Sequence, residues 1–185
     1  MTEFPEQTDR TGQLIARRRR ETPDVPLDGM EILSRANRLV RLSRKWIEPV
    51  FTRHDLDTGE FDVLATLRRS GAPYRQRPTE LYQSLMITSG GLTDRLARLE
   101  KRGLVRRTPS DRDARSTLVE LTDVGRKVAD AAFRADMVVE QELLAGLDAT
   151  EQAALAALLA KLARALDHDP GDRAGAAAEA FAPRR

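Results

Sequence analysis

One change of period constrains this chain more than any other feature. Apolar residues recur at three- and four-residue spacings along most of its length, as amphipathic helices require, and the pattern gives way between Gly103 and Thr122. There Leu104-Val105-Arg106-Arg107 and Ser116 to Leu121 read as two short strands. Pro109-Ser110-Asp111-Arg112-Asp113-Ala114-Arg115 between them is dense in turn formers, so the segment is a β-hairpin. A two-stranded hairpin is marginal in water by itself and has to lean on helices. The fold class that follows is mainly α with one small β element.

The helices can be placed from their punctuation. Gln13 to Glu21 forms a short helix carrying Arg17, Arg18, Arg19 and Arg20, a run that also reads as a solvated basic arm. A longer helix spans about Leu27 to His54, and Pro49 should kink or shorten it. Thr58 and Glu60 open the next, which stops at Ser70-Gly71. A basic loop, Tyr74-Arg75-Gln76-Arg77, leads to a short helix starting at Pro78 or Thr79 and ending near Met86. Thr88 or Ser89 can cap a helix carrying Leu92, Leu96 and Leu99, closed by Gly103. Thr122 to Leu147 and Ala149 to Leu166 are again helical.

Composition removes whole classes of function. Among 185 residues there is no cysteine, which excludes disulfides, thiolate metal sites, Cys nucleophiles and thiol redox sensing. With only two histidines, His54 and His168, no metal site is expected. No nucleophile–base pair or phosphate loop is present, so neither an enzyme nor a cofactor is expected. No apolar run reaches the roughly 18 residues of a membrane span, and the polar N-terminus lacks a signal peptide's apolar stretch; a cytoplasmic protein with no membrane partner is expected. A net charge of +2 does not by itself name a polyanion partner, so the placement of charge decides.

That placement is informative. The order helix, short helix, turn, helix, hairpin is that of a winged helix-turn-helix, whose recognition helix buries one side and offers the other to base edges. In the helix after Ser89, Leu92, Leu96 and Leu99 make the buried stripe, while Ser89, Thr93, Asp94, Arg95, Arg98 and Lys101 lie mostly off it. Gly90 and Gly91 would cost roughly 1 kcal/mol each within a helix, and would let the backbone approach DNA closely. An ordinary amphipathic helix with a solvated face stays open for this element alone. From Arg95 to Arg115, eight basic residues stand against Asp94, Glu100, Asp111 and Asp113. Guanidinium groups at the hairpin tip, Arg112 and Arg115, suit phosphate pairing or the narrow minor groove.

Glu60-Phe61-Asp62-Val63-Leu64, Ser89-Gly90-Gly91-Leu92-Thr93, Arg98-Leu99-Glu100-Lys101-Arg102-Gly103-Leu104-Val105 and Asp111-Arg112-Asp113-Ala114-Arg115 followed by Leu121-Thr122 together resemble a MarR-family transcriptional regulator, over about Leu27 to Leu166. Residues Phe61 to Gly71 and Ser89-Gly90-Gly91 further resemble the urate-responsive branch, which has an extra N-terminal helix. The resemblance implies a winged helix-turn-helix lobe with a two-stranded β-wing at 57–121 and a helical dimerisation body at 29–56 and 122–168. Residues 1–28 would form an N-terminal arm with the extra helix, and 169–185 a disordered tail. It implies a homodimer acting as a repressor on a pseudopalindromic double-stranded operator, released by a small anionic or aromatic effector. An architectural or protein-interaction module with little sequence preference is the alternative. The DNA-binding residues implied are Ser89, Gly90, Thr93, Asp94, Arg95, Arg98, Arg112 and Arg115.

For the effector, the resemblance puts Asp62 and Arg95 at positions linked to ligand binding and its relay. The branch's Trp shortly before Glu-x-Pro-Asp is missing here, where Arg17-Arg18-Arg19-Arg20-Glu21-Thr22-Pro23-Asp24 stands. Arg18 is thus a candidate for a more anionic ligand or for DNA. The lone Trp46 lies on the following helix, where it is a further ligand candidate or a core or dimer-face aromatic.

Overall fold

The computed structural model describes residues 9–85, 91–109 and 117–167. They divide into two units at 140/141. In the first unit, α1 (Arg10–Glu21) is capped by Asp9, whose carboxylate accepts the amides of Gly12 at 2.8 Å and Thr11 at 3.3 Å. This cap, invisible to apolar periodicity, starts the helix ahead of the expected Gln13. Ile15 is its buried anchor, 1% exposed.

A π-helical turn, Met30–Ser34, runs directly into α2 (Arg35–Thr52). Pro49 lies inside α2 and does not end it, since the helix continues three residues further to Thr52. The proline forfeits one backbone donor close to the helix end, and buried Val50 and Phe51 hold the last turn against the core. The Phe51 ring stacks on Phe61 with centroids 4.1 Å apart, joining α2 to α3 (Thr58–Arg69).

Helix α3 is the centre of the core. Val63, Leu64 and Leu67 are fully buried, and Leu81 of α4 (Pro78–Ser84), Leu99 of α5 (Leu92–Lys101) and Val119 of β3 (Thr117–Leu121) join the same cluster. Strand β2 (Val105–Pro109) pairs antiparallel with β3, matching Val105 with Leu121 and Arg107 with Val119. This is the expected two-stranded wing, and the loop before α4 adds to it. Arg75–Gln76, read from sequence as a basic loop, forms β1 against the other edge of β3, so the sheet order is β1-β3-β2. Two residues carry no alternation, and nothing local announces that strand.

Helix α6 (Asp123–Leu143) leaves the sheet through a tight joint. The Thr122 hydroxyl donates to the carbonyls of Gly103 at 2.7 Å and Leu104 at 3.1 Å, and accepts the Gly125 amide at 3.0 Å. Further along, Ala129 and Ala132 are buried in the core, and Asp130 accepts from Arg68 Nε of α3 at 2.8 Å. The guanidinium of Arg68 also lies 5.0 Å from the centre of the Tyr74 ring.

In the second unit, α7 (Ala149–Asp167) begins at a reciprocal cap. The Glu151 amide donates to Asp148 and the Asp148 amide to Glu151, both at 2.9 Å. No residue of α7 is buried in the single chain, although Leu155, Leu158, Leu159, Leu162 and Leu166 lie along it. Among the described residues, no helix is long and apolar enough to cross a membrane.

The joint at Gly125 has no room for a side chain: a Cβ there would stand 1.9 Å from the Leu104 carbonyl oxygen, a backbone atom. Gly125→Ala is expected to cost about 1–3 kcal/mol or more by forcing the wing and α6 apart. Thermal unfolding followed by circular dichroism should show a midpoint lower by several degrees; an unchanged midpoint would mean the joint adapts freely.

Candidate nucleic-acid interface

The candidate recognition helix is α5, and its start departs from expectation. Its N-cap is Gly91, in the left-handed region at φ 99°, without a side-chain cap hydrogen bond. Thr88 and Ser89, the expected caps, lie outside the described residues, as does Gly90. Gly91 is therefore not a costly residue inside a helix. It occupies a backbone conformation that only glycine adopts at little cost.

The two sides of α5 are as the leucine spacing requires. Leu96 and Leu99 are buried, Leu92 is half-buried, and Thr93, Asp94, Ala97 and Lys101 are exposed. What holds the helix is charge as well as packing. Asp57 caps α3 by accepting the Glu60 amide at 2.7 Å, and Glu60 returns a bond to the Asp57 amide at 3.1 Å. The same two carboxylates accept from Arg98, with Nε to Glu60 at 2.8 Å and a terminal nitrogen to Asp57 at 2.7 Å. Glu60 is only 5% exposed and also faces Arg102 at 3.6 Å. Arg98 is thus a clasp between α5 and the start of α3, a role within the chain that stands beside the phosphate contact its place toward the helix C-terminus also allows. Sequence reading missed Asp57, although Asp57-x-x-Glu60 before an apolar run is the spacing of a capping box.

Of the six described cations in the basic cluster, four are paired within the chain. Arg106 pairs with Glu120 across the sheet, and Arg107 with Glu100 at 3.2 Å. With Arg98 and Arg102 also committed, Arg95 and Lys101 are the cations from 95–109 that form no ion pair among the described residues. Arg112 and Arg115 lie outside the described residues.

Arg95 is half-buried and folds back over the first turn of α3. A Cβ on Gly59 would come within 2.3 Å of its guanidinium, so the glycine leaves the space that Arg95 fills. There Arg95 acts on Asp62. Burial pushes the Asp62 carboxyl up, Arg95 and Arg69 draw it back, and Asp57 adds a smaller upward push. The expected pair Asp62 and Arg95 is brought together. Arg18 is exposed on α1, and Trp46 is 63% exposed on α2. The charged groups acting on Asp62 do not include Arg18.

A second acid next to this pair went unread. Asp136 of α6 is 5% exposed, and its Oδ1 is buried with no hydrogen-bond partner among the described residues. Its carboxyl is pushed up to about 6, first by burial and then by the charges of Glu140 and Asp62. The signal was available, since Asp136 continues the stripe of Ala129, Ala132 and Val139, where an apolar residue belongs. Among the described residues no group of acidic or histidine side chains is arranged to hold a metal ion.

Comparison with known proteins completes the picture. Residues 54–116 match the MarR family model. The chain is 35% identical over 153 residues to the HTH-type transcriptional regulator PecS of Dickeya dadantii, covering 83% of this chain and 92% of that one. This chain belongs to the MarR family. It is also 32% identical over 123 residues to the multiple antibiotic resistance protein MarR of Escherichia coli, covering 66% of this chain and 81% of that one. Among solved structures, a mutant MarR from E. coli complexed with operator DNA superposes with a TM-score of 0.62 at 28% identity, covering 75% of this chain and 99% of that one. The helices and three-stranded sheet described above are those of a MarR-family winged-helix transcriptional regulator, and the homologues are regulators, not enzymes.

The Asp136 shift sets a stability prediction. An ordinary value of 3.8 in the unfolded chain and about 6 in the folded one means ionisation of Asp136 opposes folding. That penalty is absent below the lower value, grows between the two, and is complete above the higher. Asp136→Asn should therefore stabilise the protein by on the order of 1–3 kcal/mol in neutral buffer, with the gain fading as pH falls through the acid range. Chemical denaturation across that range checks it, and a gain independent of pH would refute it.

Proposed function

We propose that this chain is a homodimeric repressor that binds a pseudopalindromic operator and is released by a small anionic or aromatic ligand. In this reading residues 57–121 are the DNA-binding lobe, 29–56 and 122–168 the dimerisation body, and the protein works in the cytoplasm. The observation that carries the DNA contact is the construction of α5. Its inner side is fixed by Leu96, Leu99 and the Arg98 clasp, and Thr93 and Asp94 face solvent in its first turn. The operator-bound E. coli MarR supports the same use of this fold. The opening residues of a recognition helix reach base edges, so Ser89, Gly90 and Thr93 are assigned there, with Arg112 and Arg115 at the backbone or minor groove. The Asp62–Arg95 corner is assigned to effector sensing, which needs different effector affinity in the DNA-bound and free states.

The exposed apolar side chains support the dimer. Ile32, Leu33, Leu39, Val40 and Trp46 of the π-turn and α2, and the leucines of α7, stand in solvent in the single chain. A second copy would cover surface that a lone chain leaves unburied. Leu155→Asp is expected to abolish the dimer, since an unpaired carboxylate in the interface costs several kcal/mol. Sedimentation of that variant as an intact dimer would remove Leu155 from the interface.

Operator binding separates the roles on α5. Against operator and random duplexes, the parent should show a specificity ratio of at least about 10³. Thr93→Ala should relax preference at one base position, and Lys101→Ala should weaken all sequences alike and lower the salt slope by about one. Arg98→Ala should weaken binding and lower the melting point together, with the salt slope kept. Equal affinity for operator and random duplex would overturn the repressor reading and favour an architectural one.

A further inference from the structure

Two acids, Asp9 at the start of α1 and Glu31 in the π-helical turn, clamp α1 to α2. Asp9 pairs with Arg35 at 3.0 Å, and buried Glu31 takes a second bond from Arg35 and one from Arg19 at 3.3 Å. Beside this clamp, α1, the π-helical turn and α2 enclose an open groove of about 570 Å³. Arg10, Arg38, Arg41 and Lys45 line it with Leu14 and Leu42, and no carboxylate is in its wall. None of the four cations forms an ion pair among the described residues. A separate neighbouring cavity of about 420 Å³ shares Arg10, Arg38 and Leu42 and has the Asp9–Arg35 ion pair in its wall.

We propose that this groove binds an amphipathic anion, a carboxylate, sulfonate or phosphate carried on an aromatic or alkyl body. Positive charge without compensation on an apolar wall is complementary to such a molecule and to neither a neutral ligand nor a cation. The volume is that of a small-molecule site. Ser34, Arg38, Arg41 and Lys45 recur at three- and four-residue spacing, forming a single stripe that faces α1 across the groove. Guanidinium forks at Arg38 and Arg41 can hold one anionic head group in charge-assisted hydrogen bonds. The π-helical turn widens the backbone where Met30 and Ser34 border the groove, a distortion that recurs at functional sites. The site is separate from the Asp62–Arg95 corner and does not depend on operator binding.

The test uses the full chain without DNA, with the fluorescent probe anilinonaphthalene sulfonate and its uncharged parent, phenylnaphthylamine. The sulfonate should bind saturably, one molecule per chain, and more tightly than the neutral compound. Replacing both Arg38 and Arg41 by Ala should weaken it by about tenfold or more, while Arg44→Ala, outside the groove, leaves it unchanged. Arg41 and Arg44 are exposed and Arg38 is half-buried, and circular dichroism checks that both variants fold. Equal affinity in the Arg38/Arg41 variant, or equal binding of the neutral compound, would overturn the proposal. So would loss of the dimer in that variant by sedimentation, which would assign the groove to a second copy.

Discussion

Two carboxylates at the start of α3 hold α3 and α5 in register. Asp57 and Glu60 satisfy the free amides of α3's first turn and in the same place take both arms of Arg98 from α5. A surface ion pair alone contributes little, but Glu60 is buried, and the contacts made by Arg98 are charge-assisted. Removing either acid would leave orphaned amides on one helix and an unpaired guanidinium on the other. The angle of the candidate recognition helix is therefore set at its base.

The same accounting changes how a basic sequence is read. Eight cations between Arg95 and Arg115 look like a polyanion-binding strip in one dimension. Folding brings Asp57, Glu60 and Glu120 to them from outside that window, and Glu100 turns onto Arg107. Charge left for a partner is smaller and more localised than a count suggests. By contrast, the α1–α2 groove draws its cations from two segments that show no conspicuous cluster in common.

What could be read in advance follows from the range of each interaction. The stop of α3 at Ser70-Gly71, the buried stripe of α5 and the two strands of the wing are written in local spacing and are found, although β2 runs on to Pro109, which the sequence put in the turn. Strand β1 exists only because β3 offers an edge, and Asp136 is unusual only because α3 places Asp62 near it. Pro49 does not end α2 for a related reason, since Val50 and Phe51 after it are buried in the core. Asp57 and Asp136 were legible in principle, one as a capping box and the other as a polar residue in an apolar stripe.

The pairing of β1 with β3 reaches beyond geometry. Gln76 meets Val119, and the Leu121 amide donates to the Tyr74 carbonyl, so the middle strand of the sheet is closed by a segment that precedes α4, α5 and β2 in the chain. A hairpin formed from neighbours in sequence could zip up early and fray alone. This one has its inner strand locked by a long-range contact whose loop contains α4 and α5, and closing that loop carries an entropy cost that only the packed core offsets. The base of the wing and the helix pair thus form one cooperative folding unit: loss of the α3–α5 core releases the inner strand as well.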